Sequence, residues 1–364
     1  MIVKSFEIEN FRNIADAAID LDSKINLVVG NNASGKTSIL EALFFLLSGR
    51  SFRSIKESVL ISEGLEHSRL RGMIENNEGE HEIEIGFDRM GKKRLYIDEI
   101  REQKISRLLE FSAVISVVPD DIELTAGSPE SRRRFLDSLL SHCYPSYLSS
   151  LFYYNKVLKQ KNAYLKEDTV DRKQLSVWNK QLIDYAVEIV NRRLQFLNYL
   201  TGRGEEIYGE FFGAEEVSYS YRSNFPVENQ AEIASGLKEQ LSHKLQREIR
   251  IRQSIIGPHR DDIDIKIKGI SLRDYGSRGQ QRCAMLAMKF AAFEFMEKIR
   301  GEKPLLILDE AISELDGIRS VNLLEISKSI GQVLMASAHE FDIPADLGEI
   351  KKFTITDGVI SVVD

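Results

Sequence analysis

The chain has 364 residues, which is enough for two or three domains or for one domain with a large insertion. Hydrophobic residues make up 43% and charged residues 29% of the sequence, a composition that excludes disordered and fibrous proteins and is typical of globular ones. The formal net charge is −7, so any binding to nucleic acid must depend on a local basic patch.

Neither a membrane segment nor a disulfide framework is indicated. The longest apolar stretch, residues 39–47, is interrupted by Glu41 and is too short to cross a bilayer, so we expect no membrane partner. The first residues lack a basic region followed by an apolar core, which indicates no export signal and predicts a cytoplasmic protein. Cys143 and Cys283 have no metal-ligand spacing, and we expect both to be buried.

The N-terminal third is predicted to be rich in strands. Residues 3–8 are predicted as an edge strand, and the apolar run 25–29 as a buried strand that ends at Gly30. A helix is predicted over residues 37–47, because its apolar residues recur with helical spacing. Alternating segments separated by turn residues then predict an antiparallel meander formed by residues 70–74, 81–87 and 94–97.

Residues 119–246 have the pattern of long helices with few strands. Ser128-Pro129-Glu130 is a typical helix start, with Ser128 as N-cap, proline at the first helical position and an acid near the positive end of the dipole. Further helices are predicted over residues 147–165 and 171–200, the second one broken by Gly202-Arg203-Gly204. We interpret this region as an inserted helical domain.

Strand patterns return in the C-terminal third. Alternating Ile263, Ile265 and Ile267 predict one strand, and a helix is predicted over residues 279–299. The remaining predicted strands are two buried ones and a terminal hairpin that turns at Asp357-Gly358: residues 305–308, 332–336 and 353–363. We expect that the strand-rich N-terminal and C-terminal parts share one sheet.

A phosphate-binding loop is the clearest motif. Residues 30–37 match the pattern G-x-x-x-x-G-K-[ST] between a predicted strand and a predicted helix, a context that disfavours a simple glycine-rich turn with a solvated lysine. Lys36 would reach the β- and γ-phosphates of ATP, and Thr37 would bind Mg²⁺. The predicted nucleotide-binding residues here are Gly30, Asn31, Asn32, Ala33, Ser34, Gly35, Lys36, Thr37 and Ser38.

Two acidic residues, Asp309 and Glu310, follow the apolar strand predicted at residues 305–308. The carboxyl end of a parallel strand is where α/β sheets place their ligands. Asp309 would therefore hold Mg²⁺ together with Thr37, while Glu310 is the candidate base for the attacking water. Without the phosphate loop, the alternative of two solvated acids would be equally acceptable.

A third motif, Ser277-Arg278-Gly279-Gln280, lies at the start of the helix predicted after it, where Ser277 and Gly279 can offer a hydroxyl and a backbone N–H to an anion. The motif resembles the signature of ABC-type ATPases, which bind ATP between the phosphate loop of one subunit and the signature of another. By the same resemblance, Ser313-Glu314-Leu315-Asp316 corresponds to the D-loop, and His339 to the switch histidine. Taken singly, these residues could be an ordinary N-cap and a surface histidine.

Over essentially its whole length, the sequence resembles the RecF family of bacterial recombinational-repair ATPases, which are related to SMC heads. The resemblance rests on residues 9–13, 30–37, 40–43, 127–129, 132–137, 257–262 and 279–282. It implies an α/β, ABC- and SMC-head-like ATPase domain with an antiparallel β subdomain and an inserted, mainly helical second domain. The predicted segments are residues 1–118 (ATPase domain, phosphate loop), 119–246 (inserted arm) and 247–364 (ATPase domain with signature, Walker B and D-loop).

The resemblance also implies a function and partners. Members dimerise on DNA when ATP is bound, help to load recombinase at gaps together with RecO and RecR, and are reset by slow hydrolysis. A homodimer with ATP and Mg²⁺, associated with the nucleoid, is therefore expected. Catalytic roles are implied for Glu310, Lys36 and His339, and nucleotide contacts for Ser277, Gly279, Gln280 and Asp316.

The sequence departs from the general ABC pattern at two positions and leaves the DNA contacts open. Arg278 stands where the general signature has glycine, and Pro119-Asp120-Asp121 stands where a Q-loop glutamine is usual. Phosphate contacts need only local positive charge, although basic clusters are often solvated or ion-paired faces. The candidates for DNA contact are Arg50, Arg53, Lys56, Arg132, Arg133, Arg134, Lys244, Arg247, Arg250 and Arg252.

The sequence disfavours three other functions. The nucleotide-binding subunit of a membrane transporter would have a signature closer to Leu-Ser-Gly-Gly-Gln and an aromatic residue before the phosphate loop to stack on adenine, and neither is seen. Another SMC-like head with long coiled-coil arms would need hundreds of heptad residues between the two nucleotide motifs. About 240 residues lie there, and many of them are in predicted strands. A nucleotide-sensing scaffold without hydrolysis conflicts with the presence of Glu310.

Overall fold

The computed structural model describes residues 1–53, 56–213, 216–310, 323, 326–327, 330–338 and 350–363. The chain divides into two compact units. The first unit comprises Met1–Asp121, Glu210–Gly213 and Ala292–Asp364, and the second unit comprises Ile122–Gly209 and Ala214–Ala291. Residues 247–291 thus pack within the second unit, whereas the sequence assigns them to the ATPase domain because of the signature that they carry. That assignment stays a prediction.

The first unit begins with most of the strands. In chain order up to residue 121, its elements are β1 (Ile2–Phe11), β2 (Ile14–Asp20), β3 (Ile25–Val29), α1 (Lys36–Ser48), β4 (His67–Asn76), β5 (Gly79–Asp88), β6 (Lys93–Ile97), β7 (Ile100–Glu102), α2 (Leu108–Phe111) and β8 (Val114–Val117).

The second unit holds the long helices. Its elements are α3 (Glu123–Ala126), α4 (Pro129–Cys143), α5 (Pro145–Tyr164), α6 (Arg172–Tyr199), α7 (Glu205–Ile207), β9 (Val217–Arg222), α8 (Gln230–His243), α9 (Leu245–Ile251), β10 (Asp262–Ile267), β11 (Ile270–Ser271), α10 (Leu272–Tyr275) and α11 (Arg278–Arg300), whose last residues from Ala292 belong to the first unit. The chain then returns to the first unit with β12 (Leu305–Asp309), β13 (Val333–Ser337), β14 (Ile350–Thr356) and β15 (Val359–Val363).

An antiparallel sheet in the first unit has the strand order β2-β1-β4-β5-β6-β7 among the described residues. The predicted meander is confirmed in β4, β5 and β6. The prediction of an edge strand at residues 3–8 is wrong, because β1 pairs with both β2 and β4. The chain reverses between β1 and β2 with left-handed backbone at Asn10 (φ 57°) and Arg12 (φ 53°). The sequence hid β2 because small alanines interrupt its apolar pattern.

A second sheet in the first unit joins strands from both ends of the chain, as predicted. Its order over the described residues is β15-β14-β3-β13-β12-β8, and all neighbouring pairs are parallel except β14 with β15. Helix α1 packs against β1 and β4 of the antiparallel sheet and against β8, β12 and β13 of the parallel one. This position between two sheets explains why nearly every residue of α1 is buried.

In the second unit, the helices predicted at residues 147–165 and 171–200 are confirmed as α5 and α6. Pro129 begins α4 as predicted, but the Ser128 hydroxyl makes no capping hydrogen bond with the helix. The glycines expected to break α6 lie instead in a wider π-type turn, Leu200–Gly204, that prolongs the helical course. Strands β9, β10 and β11 form a small antiparallel sheet that contains the strand predicted around Ile265.

Candidate functional site

The phosphate loop joins β3 to α1 in the first unit. Gly35, the residue before α1, has a left-handed backbone with φ 117°, and a Cβ atom there would lie 2.9 Å from both Asn13 Nδ2 and Ile355 Cδ1. At Gly30, a Cβ atom would lie 2.5 Å from the carbonyl oxygen of Ile355. Both glycines are therefore required by the close approach of neighbouring backbone and side chains, and the loop is held in a fixed shape.

Lys36 lies inside this loop, with 4% of its surface exposed. Its ammonium group donates hydrogen bonds to the carbonyl oxygens of Gly30 at 2.8 Å and Asn31 at 3.0 Å. The same Nζ atom lies 3.5 Å from Glu310 Oε1, an ion pair that links the loop to the end of β12. The positive charge is thus positioned by the loop backbone.

Thr37 and Asp309 bring the other two predicted elements together. The Thr37 hydroxyl donates a hydrogen bond to Asp309 Oδ1 at 3.2 Å. Burial raises the pKa of Asp309 to about 6, although the Thr37 hydrogen bond and the charges of Arg53 and Lys36 lower it. A buried carboxylate with this raised pKa is a group whose charge a bound cation would stabilise.

Glu310 follows the last residue of β12. Its backbone is left-handed (φ 53°), which is uncommon for a residue other than glycine, and its N–H donates to the carbonyl oxygen of Ala336 at 3.2 Å. Its side chain is 27% exposed, in contrast to the 4% of Lys36. Two adjacent acids at one strand end therefore have different surroundings: Asp309 is buried against Thr37, whereas Glu310 is accessible to water.

The oxygen atoms of Thr37 and Asp309 fit a magnesium ion. Mg²⁺ prefers oxygen ligands and is usually held by one or two protein groups together with substrate phosphates and water. Within the part of the chain that the structure describes, no group of three or more His, Cys, Asp or Glu side chains is arranged to hold a metal ion. The pair at Thr37 is thus suited to a metal that arrives with a nucleotide.

The sequence motifs did not identify Asn13 as part of the loop structure. Its Nδ2 donates to the carbonyl oxygen of Ser34 at 3.3 Å, and its Oδ1 accepts from the Ser38 hydroxyl at 2.7 Å. The terminal hairpin also contacts the loop, since the Gly358 N–H donates to Ser34 O at 2.9 Å. The available signal for Asn13 was its place in the segment of residues 9–13, which resembles the family.

The signature motif lies in the second unit, at the start of α11. Ser277 Oγ accepts a hydrogen bond from Gln280 N at 3.2 Å, and Gln280 Oε1 accepts from Ser277 N at 2.8 Å. This reciprocal pair is a capping box. Ser277 is exposed and Gly279 is half-buried. A serine hydroxyl that accepts from the helix backbone still has its own proton to donate, so the capping role is compatible with anion binding.

The remaining predicted residues have varied positions. Asp316, with the whole D-loop segment, and His339 lie outside the described residues. Arg50 and Lys56 are exposed, and Arg53 is half-buried near enough to Asp309 to affect its pKa. Arg134 is exposed and Arg133 is half-buried. Asn31, Asn32 and Ala33 form the exposed tip of the phosphate loop.

Arg132 differs from its two neighbours in the basic run at the start of α4. It is buried, and it donates to both carboxylate oxygens of Asp262, from Nε at 2.6 Å and from Nη2 at 3.1 Å. A guanidinium in such a bidentate pair is neutralised within the fold. Of the three arginines, the structure therefore leaves Arg133 and Arg134 as the candidates for an external anion.

The described helices include none that is long and apolar enough to cross a membrane.

Comparison with known proteins agrees with the geometry. The family described as the RecF/RecN/SMC N terminal domain matches residues 2–343. A DNA replication and repair protein RecF from Streptococcus pneumoniae is 35% identical over 367 residues, which cover 100% of this chain and 99% of that protein. The full-length match favours the predicted family over a transporter subunit.

Solved structures give the same result for the fold. The structure of the recombination mediator protein RecF-ATP in the RecFOR pathway has a TM-score of 0.92 at 29% identity and covers 100% of this chain and 98% of that chain. An Smc head bound to the C-winged helix domain of ScpA has a TM-score of 0.60 at 16% identity. The match covers 100% of this chain and 97% of the Smc head chain. The latter likeness concerns the fold alone, and the predicted ABC- and SMC-head-like fold is confirmed.

Proposed function

The chain belongs to the RecF family of SMC-type ATPases, and we propose that it binds ATP with Mg²⁺ at the phosphate loop, hydrolyses it, and mediates recombinational DNA repair. The observation that carries the nucleotide site is the hydrogen bond between Thr37 and Asp309 beside the buried Lys36. Phosphoryl transfer needs a lysine on the phosphates, a hydroxyl and a carboxylate for the metal, and a group that orients water. Lys36, Thr37, Asp309 and Glu310 supply these parts.

Each of the four residues has a separate role in this proposal. Lys36 stabilises the negative charge that develops on the β- and γ-phosphates, because its ammonium lies at the loop backbone. Thr37 and Asp309 would hold Mg²⁺, which would neutralise phosphate charge. Glu310 orients or deprotonates the attacking water, since its carboxylate is water-accessible and lies 3.5 Å from the ammonium of Lys36.

The signature completes the site from a second subunit. Ser277, Gly279 and Gln280 start a helix whose N-terminus attracts an anion, and the γ-phosphate bound at another copy's Lys36 would be that anion. A twofold-symmetric pair, in which each copy's signature faces the phosphate loop of the other, has two equivalent nucleotide sites. On the strength of the family resemblance, Asp316 is proposed to contact the nucleotide and His339 to act in catalysis as the switch histidine.

DNA binding follows from the same dimer. ATP binding brings two copies together, and hydrolysis separates them, so the protein acts as an ATP-gated clamp at DNA gaps. Arg50, Arg53, Lys56, Arg133 and Arg134 are the proposed DNA contacts, with salt-dependent binding and little sequence preference. RecO and RecR are the proposed protein partners in the cytoplasm, at the nucleoid, because the similar RecF-ATP structure is that of a RecFOR-pathway protein.

Sedimentation of the protein with ATP, Mg²⁺ and gapped DNA tests this function. The wild type should form a dimer on DNA only when ATP is present, and Lys36→Ala should lose both tight ATP binding and the ATP-dependent dimer. Exposed Lys24 in the same unit provides the matched control Lys24→Ala, which should behave as the wild type. Unchanged ATP affinity in Lys36→Ala would exclude the phosphate loop as the nucleotide site.

A further inference from the structure

The second unit contains a cavity that the nucleotide site does not involve. Its volume is about 160 Å³, well below the roughly 300–1,000 Å³ of pockets for drug-sized ligands, so it suits a small group. The residues used below are Arg133 and Asp137 of α4, Tyr154 and Asn155 of α5, Arg193 of α6, and His259. We call it the Arg133 cavity.

Two segments that the sequence analysis singled out, and that ATP chemistry leaves unexplained, meet at this cavity. Residues 132–137 supply part of one wall through α4, and residues 257–262 supply another through Pro258 and His259. The two are held together by Arg132 with Asp262 and by the Arg133 Nη1 hydrogen bond to the Asp261 carbonyl oxygen at 2.8 Å. The fold thus fixes both walls.

Arg193 is a buried lining residue of the cavity whose side chain is held by three hydrogen bonds. It is 2% exposed, and it donates to Asp137 Oδ1 at 2.8 Å, to the Pro258 carbonyl oxygen at 2.7 Å and to the Tyr147 hydroxyl at 3.2 Å. The Tyr147 hydroxyl in turn donates to Asp137. Asp137 is therefore already neutralised within the fold, and its charge does not repel an anion as a lone carboxylate would.

His259 adds a neutral polar wall. Its Nε2 faces the carbonyl oxygen of Ser254 at 3.2 Å, so this nitrogen carries the proton and donates. Its Nδ1 is then the acceptor for the Tyr154 hydroxyl at 2.6 Å. Burial lowers the pKa of His259 to about 3, which keeps the ring uncharged. Histidine and tyrosine are thus locked in one arrangement.

Arg133 is the half-buried positive group that lines the cavity. The Asp261 carbonyl oxygen is its hydrogen-bond partner within the described part of the chain, which uses one of its five N–H donors. Burial and the nearby charge of Arg193 lower the pKa of Arg133, while the charges of Asp262, Glu130 and Asp137 raise it. The net effect is a lowered pKa, which means that the surroundings disfavour the charged guanidinium and that a bound anion would stabilise it. Exposed Arg134 and Glu130, also lining residues, add opposite charges at the mouth.

We propose that the Arg133 cavity binds a phosphomonoester, either a free phosphate compound or the terminal phosphate of a nucleic-acid strand. The guanidinium fork of Arg133 matches two phosphate oxygens, and Asn155 of α5, which also lines the cavity, can donate to a third. A planar carboxylate has only two oxygens and would leave one wall without a partner. The inference goes beyond the proposed ATPase function and does not depend on hydrolysis.

Calorimetric titration with inorganic phosphate tests the proposal while a non-hydrolysable ATP analogue and Mg²⁺ fill the phosphate loop. The wild type should bind one phosphate per chain, and Arg133→Gln should weaken the affinity by about tenfold or more, the value of a lost charged hydrogen bond. Arg133→Lys should retain part of the affinity. Arg172→Gln, at an exposed arginine on α6, is the matched control and should bind as the wild type.

A second variant guards against misfolding of Arg133→Gln. Asn155→Phe keeps every arginine but narrows the cavity, and it too should weaken phosphate binding, with an unchanged melting temperature. The source of the phosphate is decided by titrating adenosine monophosphate and one oligonucleotide with either a 5′-phosphate or a 5′-hydroxyl. A preference for the phosphorylated strand that Arg133→Gln abolishes identifies a strand end as the ligand. Equal affinities for the two strands, together with retained binding of inorganic phosphate, identify a free compound.

Three results would overturn the proposal. The first is a wild type that shows no saturable phosphate binding, and the second is Arg133→Gln with the wild-type phosphate affinity. The third is acetate binding as tightly as phosphate, since that would make the cavity a general carboxylate site. Because the ATP analogue fills the phosphate loop, phosphate binding in this titration reports on the Arg133 cavity. The nucleotide site is tested separately by the ATP affinity of Lys36→Ala.

Discussion

Thr37 donates a hydrogen bond to Asp309 although the two residues are 272 positions apart in the sequence. Thr37 is the second residue of α1, the helix after the phosphate loop, and Asp309 ends β12 of the parallel sheet. Their contact brings a hydroxyl and a carboxylate together, near enough to Lys36 for its positive charge to lower the pKa of Asp309. A proposed metal site and a phosphate site are therefore adjacent before any ligand arrives.

Glu310→Gln should separate ATP binding from hydrolysis. The amide keeps the shape of the side chain but cannot act as a base, so the hydrolysis rate should fall about 10²-fold or more. ATP-bound dimers should accumulate, as measured by ATPase assay and by sedimentation with ATP. Glu63→Gln, at an exposed glutamate of the same unit, should leave both readouts unchanged. Hydrolysis within about twofold of the wild type would exclude Glu310 as the base, given the usual effect of a positioned base.

Ser277→Arg should block the dimer without blocking the first ATP-binding event. The exposed Ser277 lies in the second unit and is proposed to reach the phosphate of another copy. Mixing Ser277→Arg with Lys36→Ala should restore one complete site per heterodimer and thus part of the ATPase activity. Ser242→Arg, at an exposed serine of α8, is the control. If Ser277→Arg alone dimerises with ATP and turns over normally, the site belongs to a single chain.

Lys161→Met should destabilise the second unit strongly. Lys161 and Glu248 are both fully buried, with Nζ 2.7 Å from Glu248 Oε2. Removing the lysine leaves a buried carboxylate unpaired, and the free energy of unfolding should fall by about 3–5 kcal/mol in urea titrations. The double variant Lys161→Met/Glu248→Leu should recover part of this loss in free energy. The recovery is incomplete because Ser254 and Ile255 lose the hydrogen bonds that they donate to Glu248.

A surface pair provides the comparison for Lys161. Arg69 Nε lies 3.1 Å from Glu9 Oε2, and their side chains are 47% and 42% exposed. Arg69→Met should lower the free energy of unfolding by less than about 1 kcal/mol, because water screens the pair. A similar loss in Lys161→Met would show that the buried pair does not carry the stability assigned to it.

His259→Gln should alter how stability depends on pH. The unfolded chain binds a proton at His259 near the ordinary pKa of 6.5, whereas burial holds the folded pKa at about 3. Stability from this group is therefore lost as the pH falls from 6.5 towards 3. The advantage of the wild type over His259→Gln in free energy of unfolding should be about 2 kcal/mol smaller at pH 5 than at pH 7.

The quantity to measure is the difference in free energy of unfolding between the wild type and His259→Gln, because Asp261, present in both, changes the stability with pH in the opposite direction. Burial raises the pKa of Asp261 to about 6, so this group favours the folded state as the pH falls below that value. A difference between the wild type and His259→Gln that stays constant with pH would contradict the buried neutral histidine.

Much of the local structure was predictable from the sequence. The phosphate loop, α1 and β12 follow from residues that are contiguous in the chain: a glycine-rich turn between an apolar strand and an apolar helix, and a run of four apolar residues before two acids. The chemistry of such elements resides in nearby residues, which is why Lys36, Thr37, Asp309 and Glu310 were identified as a set. Their expected roles followed from the phosphate-loop pattern and the strand end, and the family resemblance added Asp316 and His339.

The tertiary structure decided what spacing along the chain does not encode. Arg132 and Arg133 are adjacent in one basic run, yet successive residues of a helix point about 100° apart, so Arg132 pairs with Asp262 while Arg133 lines a cavity. In the same way, β1 became an interior strand once β2 paired with it, and Asn13 became part of the phosphate loop through two hydrogen bonds. Long-range packing determines which side chains and strands contact one another. The sequence by itself determined only which side chains were present and which local elements they form.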